Sequence, residues 1–268
     1  MVVKKVLWTL KRHPFLYVTR FRLLSRNSNA EAIKHCTYNS ANSKQDIPSY
    51  FYKINALIFK DRNPETDLDC VKQLCIWLRT HIKGGAGLSE PSETALRKML
   101  NGRVGVCSDI AQVFNNFCVI NDIQVREWGV IRAPFDKCFG GHSFNEVFIK
   151  ELGQWVLIDV SRCIMFYSED DLPLSVIGVY RLLRAHKPVR FEYFSSIRLV
   201  APHAIENSFF NPKTVPFLIC DYSNKTYDAF LRRFKPFLPI FTIHFLLYIL
   251  NRSYHYRFPL DNYKRIFA

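Results

Sequence analysis

Apolar residues return at alternating steps of three and four along residues 68–83, where Leu68, Val71, Cys75, Leu78 and Ile82 fall on one side of a helix and Gly84-Gly85 follows as a stop. The same spacing predicts a helix over 89–100, opened by Ser89 and Pro91 and closed by Asn101-Gly102. A third begins at Cys107, since Ile110, Ala111, Val113, Phe114, Phe117 and Cys118 line one face. Strand-like segments follow in 125–131, 144–149 and 155–160, with further strand candidates at 189–194 and 197–201. The Asn- and Ser-rich stretch 27–50 reads as a linker or a loose helix and loop, and no internal repeat or low-complexity tract is present.

Three of these segments carry residues that can do chemistry together. Cys107 follows the turn Gly102-Arg103-Val104-Gly105-Val106 and sits at a helix N-terminus. There the positive end of the helix dipole and its free N–H groups favour thiolate over thiol. His142 stands at the start of Gly141-His142-Ser143-Phe144-Asn145-Glu146-Val147, and Asp159 ends the run Trp155-Val156-Leu157-Ile158-Asp159. The short turn between these segments makes them an antiparallel hairpin. Side chains alternate along a strand, so His142 and Asp159 share a face only if paired residue numbers sum to an odd value, as with Phe144 opposite Asp159. In that register the carboxylate orients the imidazole and the imidazole faces the thiol. Asp159 follows an apolar run, a setting in which a carboxylate needs a partner. The other seven cysteines lack such a setting and read as small core residues.

This order of motifs resembles the transglutaminase-like superfamily of papain-related thiol enzymes over roughly residues 65 to 165: Gly105-Val106-Cys107 with its helix, Ile123-Gln124-Val125-Arg126 as the next strand, then the histidine and aspartate segments. The resemblance implies an α+β fold, a cysteine-bearing helix packed on an antiparallel sheet. It implies a catalytic set of Cys107, His142 and Asp159 acting on amide bonds through an acyl-enzyme, by hydrolysis or by transfer to an amine. The substrate expected is a protein, a peptide or a small amide. Related enzymes draw an oxyanion donor from a tryptophan or glutamine on the preceding helix, which here points to Trp77 or Gln73. The superfamily also includes members that have lost activity, so a silent binding or scaffold protein at a membrane surface is the alternative. Arylamine acetyltransferases use the same residue order, but after Asp159 this chain reads Val160-Ser161-Arg162 and lacks their glycines. Cys138 with His142 and Cys70 with Cys75 do not repeat as zinc doublets, so neither metal nor cofactor is expected.

Length and charge set the surroundings. A chain of 268 residues, 49% hydrophobic, builds one substantial core and falls short of two. The expected division is a basic N-terminal extension over 1–50, a catalytic domain over 51–220 and a basic, aromatic-rich extension over 221–268. Residues 1–26 hold seven Lys and Arg and no acid, and 229–268 hold seven against Asp261, which accounts for nearly all of the net +14. Both ends mix that charge with aromatic and aliphatic residues, a pattern that suits an anionic membrane surface; nucleic-acid recognition motifs are missing. The uncharged run 236–250 is too short for a span of ~20 residues. Irregularly spaced cysteines and a poor export signal place the expected location in the cytoplasm, peripheral to the inner face of a membrane.

Overall fold

A computed structural model describes residue 33 and residues 36–132, 136, 138–219, 222–250, 252 and 257–259; the basic stretch 1–26 lies outside the described residues. Helices α1 (Tyr38–Ala41), α2 (Ser49–Ile58), α3 (Asp67–His81), α4 (Ser92–Leu100) and α5 (Cys107–Ile120) come first. Strands β1 (Val125–Arg132), β2 (His142–Ile149), β3 (Gln154–Asp159) and β4 (Ile164–Tyr167) follow. Then come α6 (Val176–Arg184), β5 (Arg190–Tyr193), α7 (Pro202–Phe209), β6 (Thr214–Ile219), α8 (Asn224–Phe234), α9 (Ile240–Ile249) and β7 (Arg257–Pro259).

The strands form one antiparallel sheet in the order β5-β4-β3-β2-β1-β6-β7, so the fold is α+β. Alternation assigns its faces. Val125, Val147, Ile149, Val156 and Ile158 join the core shared with α3 and α5, while Trp128, Val130, Phe144 and Leu157 pack with Val176 and Tyr180 of α6 and Phe209 of α7. Gly129 is required by its neighbour: a Cβ there would sit 2.3 Å from Cζ of Phe217, its partner on β6.

Helix α3 begins where Thr66 accepts the Asp69 N–H, with acids in its first turn and Arg79 and His81 in its last, matching the helix dipole. Its N-terminus is tied to the β2–β3 turn, Leu68 N–H donating to Glu151 and Lys150 N–H to Asp67. Helix α5 is buried at every residue from Asp109 to Ile120, and its polar members therefore need partners inside the protein.

The flanks are hydrogen-bonded to each other. Asn42 donates to Tyr222 O at 2.7 Å and accepts from Asn224 N at 2.7 Å, and Asp228 takes both the N–H and the hydroxyl of Ser92. The described part of 27–50 is thus packed structure from Tyr38 onward, not a linker. Within 236–250, α9 folds back on α8: Ile243 and Leu247 are buried, and His244 Nε2 lies 3.1 Å from the Tyr227 hydroxyl. No helix among the described residues is long and apolar enough to cross a membrane. The segment 197–201 is a turn rather than a strand, because Arg79 takes the carbonyls of Ile197 and Arg198 that a ladder would use.

Glu146 on β2 locks the second face. It is 1% exposed and accepts from Trp128 Nε1 at 3.0 Å, Arg126 Nη1 at 3.2 Å and the Val176 N–H that opens α6 at 2.8 Å. Arg126 also lies 3.7 Å from the Trp155 ring centre. Glu146→Ala leaves a buried guanidinium without its carboxylate, and a loss of about 3–5 kcal/mol in urea-unfolding stability is expected.

Candidate active site

The backbone around Cys107 is fixed before the side chain is considered. Gly105 bridges to the end of α3, donating its N–H to Lys83 O at 3.0 Å and accepting from Gly85 N at 2.9 Å. A Cβ at Gly105 would come within 2.4 Å of Met99 Sδ, so this loop closes tightly on α4. Asp109, in the first turn of α5, accepts the N–H groups of Val106 and Leu88, both at 3.0 Å. These bonds place the partly exposed Cys107 side chain at the opening of the helix.

His142 is delivered by Gly140 and Gly141, whose φ values of 68° and 100° are costly for other residues and turn the chain into β2. Asn145 pairs with Ile158, which continues to Phe144 opposite Asp159 and puts the histidine and aspartate on one face. His142 Nε2 lies 2.6 Å from Asp159 Oδ2. The fully buried carboxylate also accepts from Ser161 Oγ at 2.8 Å and lies 3.5 Å from Arg162 Nε. The Phe209 ring meets the imidazole edge-on at 5.8 Å. With Nε2 engaged, Nδ1 is the nitrogen left for Cys107, whose sulfur accepts the Ser143 N–H at 3.3 Å.

Charge follows this geometry. Burial pushes the Cys107 thiol up, but the His142 imidazolium, its hydrogen bond and the Ser143 N–H outweigh burial and hold the thiol below its ordinary value. Burial opposes charge on His142, yet Asp159 and then Cys107 raise it to about 9. Asp159 is held low against burial, first by His142 and then by Arg162 and Ser161. In contrast, burial carries Cys70 and Cys163 to about 12 and Cys75 and Cys118 well above the usual thiol range.

The structure joins His142 to Asp159 and sets the Cys107 sulfur against the N–H of Ser143, the residue after His142. Gln73 donates to Asp69 at 2.9 Å in the half of α3 anchored at the far, β2–β3 turn, and the Trp77 ring stacks on His81 at 4.1 Å. Asp109, the Ser143 N–H, Ser161 and Arg162 were not singled out for the site from sequence. Asp109 alone left a signal, an acid three residues beyond the residue preceding a helix, as in a capping box.

A thiol on a helix N-terminus, facing an imidazole steered by a carboxylate across an antiparallel sheet, defines the papain-related class of thiol-enzyme folds. Residues 56–160, which carry all three residues, match the family model described as the transglutaminase-like superfamily. A solved structure from Cytophaga hutchinsonii, described provisionally as a cysteine protease, is similar at 21% identity and a TM-score of 0.32, covering 42% of this chain and 38% of that one. No curated protein matches the chain.

Selective alkylation tests the electrostatics. At pH 6, iodoacetamide is expected to modify Cys107 well before the buried thiols Cys70, Cys75, Cys118 and Cys163 and before exposed Cys138, by peptide mapping, and His142→Ala should slow it. Because the His142 value is raised on folding, the stability its contacts supply is complete below 6.5 and is lost as pH rises through about 9. Thermal melts of His142→Ala should lack that alkaline loss.

Proposed function

We propose that Cys107, His142 and Asp159 form the catalytic set of a thiol enzyme that cleaves or exchanges amides through an acyl-cysteine intermediate. The observation that carries this reading is geometric: the Cys107 sulfur takes the Ser143 N–H at 3.3 Å, and the adjoining His142 imidazole is fixed 2.6 Å from a buried carboxylate. The thiolate adds to the amide carbonyl, its electron pair forming the C–S bond as the carbonyl pair moves to oxygen. The first-turn N–H groups of α5, that of Cys107 among them, have no acceptor within the helix and are the donors available to that oxyanion. Collapse expels the amine, which takes the proton from His142. Water or a second amine then gives a proton to His142, attacks the thioester and releases the thiolate. The two outcomes are hydrolysis and acyl transfer, on a protein, peptide or small-amide substrate.

Intact-mass analysis with an amide-mimicking electrophile tests the reading. One covalent adduct is expected on the wild type and none on Cys107→Ala, with His142→Ala slower by ~10²-fold or more. An adduct that persists in Cys107→Ala would move the chemistry elsewhere, and equal labelling of several cysteines would leave a silent scaffold.

We also propose that the turn after α8 meets an anionic bilayer surface. Phe237 there is 82% exposed, and Arg232 and Arg233 at the end of α8 are exposed as well. Full-length protein should co-sediment with phosphatidylserine vesicles at low salt, release as salt rises, and bind less after Phe237→Ala with Arg232→Glu and Arg233→Glu. Equal binding to neutral vesicles would count against it.

A further inference from the structure

Behind the Cys107 turn lies a carboxyl group that this chemistry leaves unused. Glu127 on β1 is 3% exposed, and among the described residues no cation pairs with it. Its Oε2 accepts from Asn115 Nδ2 at 2.8 Å, and Asn115 Oδ1 accepts from Asn145 Nδ2 at 2.7 Å. The Asn145 amide also donates to Ala111 O at 3.2 Å. Cys107, Ala111 and Asn115 follow one another at intervals of four along one side of α5, and Asn145 stands two residues beyond Ser143 on β2. The three side chains therefore join helix to sheet just inside the Cys107–Ser143 contact.

Two buried oxygens in this cluster have no donor: Glu127 Oε1 and Asn145 Oδ1. The β1–β2 register sets Glu127 directly opposite Asn145, so both side chains leave the same face with Cβ atoms about 5 Å apart. Two buried acceptors without donors on paired residues oppose folding, and one proton shared between them would turn the conflict into a hydrogen bond.

We propose that Glu127 is carried as a neutral carboxylic acid donating from Oε1 to Asn145 Oδ1, and that the closed set Glu127, Asn145 and Asn115 positions the opening turns of α5 against β2. Glu127 is a positioning residue, acting on Cys107 through the helix. The charges around it agree. Burial first, then Cys107 and Asp109 on α5, lift its carboxyl to about 8 despite the Asn115 bond. Tyr38 on α1 faces the same cluster, its hydroxyl donating to Asn116 Oδ1 at 2.6 Å, and brings no positive charge. An ionised Glu127 would set a second negative charge beside the thiolate; the neutral acid spares it that repulsion.

Glu127→Gln keeps the shape, offers Asn145 an N–H in place of the O–H, and cannot ionise. For a group protonated when folded and ionised when unfolded, stability falls as pH rises between its two values. The ratio of unfolding constants, wild type over Glu127→Gln, should therefore climb about tenfold per pH unit from about pH 5 to about 8 and level off above. A ratio flat across that range overturns the neutral acid. The positioning role is read from Cys107 alkylation at pH 6: Glu127→Gln should stay within about twofold of wild type, while Glu127→Leu, apolar and of similar size, should slow it about tenfold. Wild-type alkylation in Glu127→Leu overturns that role. The inference draws its purpose from the proposed nucleophile, but its readouts need no substrate, so failed trapping by amide electrophiles would leave both measurements standing.

Discussion

Sliding β2 past β3 by a single residue would turn His142 and Asp159 to opposite faces of the sheet, and the Cys107 environment depends on that pairing. The register is held from several directions. Phe144 and Leu157 fill one layer while Val147, Val156 and Ile158 fill the other, so a slip would exchange the whole set at once. Glu146 fixes β2 independently through Trp128, Arg126 and the first N–H of α6. The site is thus a by-product of core alternation, with the chemistry placed at the strand ends where alternation leaves room.

Two buried glutamates stand at adjoining positions of the neighbouring strands β1 and β2 and take opposite solutions. Glu146 faces α6, where an arginine, an indole N–H and a helix end can satisfy a full charge. Glu127 faces α5, where asparagine amides are the partners and the nearby charges are negative. One side of the sheet solves burial by pairing charges and the other by withholding one. That division keeps negative charge away from the thiol on the side where α5 must lie close.

Much of this was legible in the chain because periodicity reports faces directly. The helix expected over 68–83 appears as Asp67–His81, and the expected hairpin appears with the odd-sum pairing that His142 and Asp159 require to share a face. What escaped depends on relations between segments. Strand β6 is hidden by Pro216, which interrupts any strand pattern; it is tolerated because, among the described residues, β7 pairs with β6 at Phe217 and Leu218 and not at Pro216. Strand β4 is four residues long, too short for a period to register. The Glu127 cluster was invisible because polar residues inside a buried helix look like ordinary helix polarity until their partners arrive from two strands.

Chain order gives the His142–Asp159 arrangement a temporal meaning. Synthesis runs from the N-terminus, so the thiol at 107 leaves the ribosome before the imidazole at 142 and the carboxylate at 159 exist. Until β2 and β3 dock against α5, the sulfur has neither its imidazolium nor the Ser143 N–H and remains an ordinary, largely protonated cysteine. The nascent chain carries an ordinary thiol, and completion of the hairpin gives that sulfur its polar surroundings.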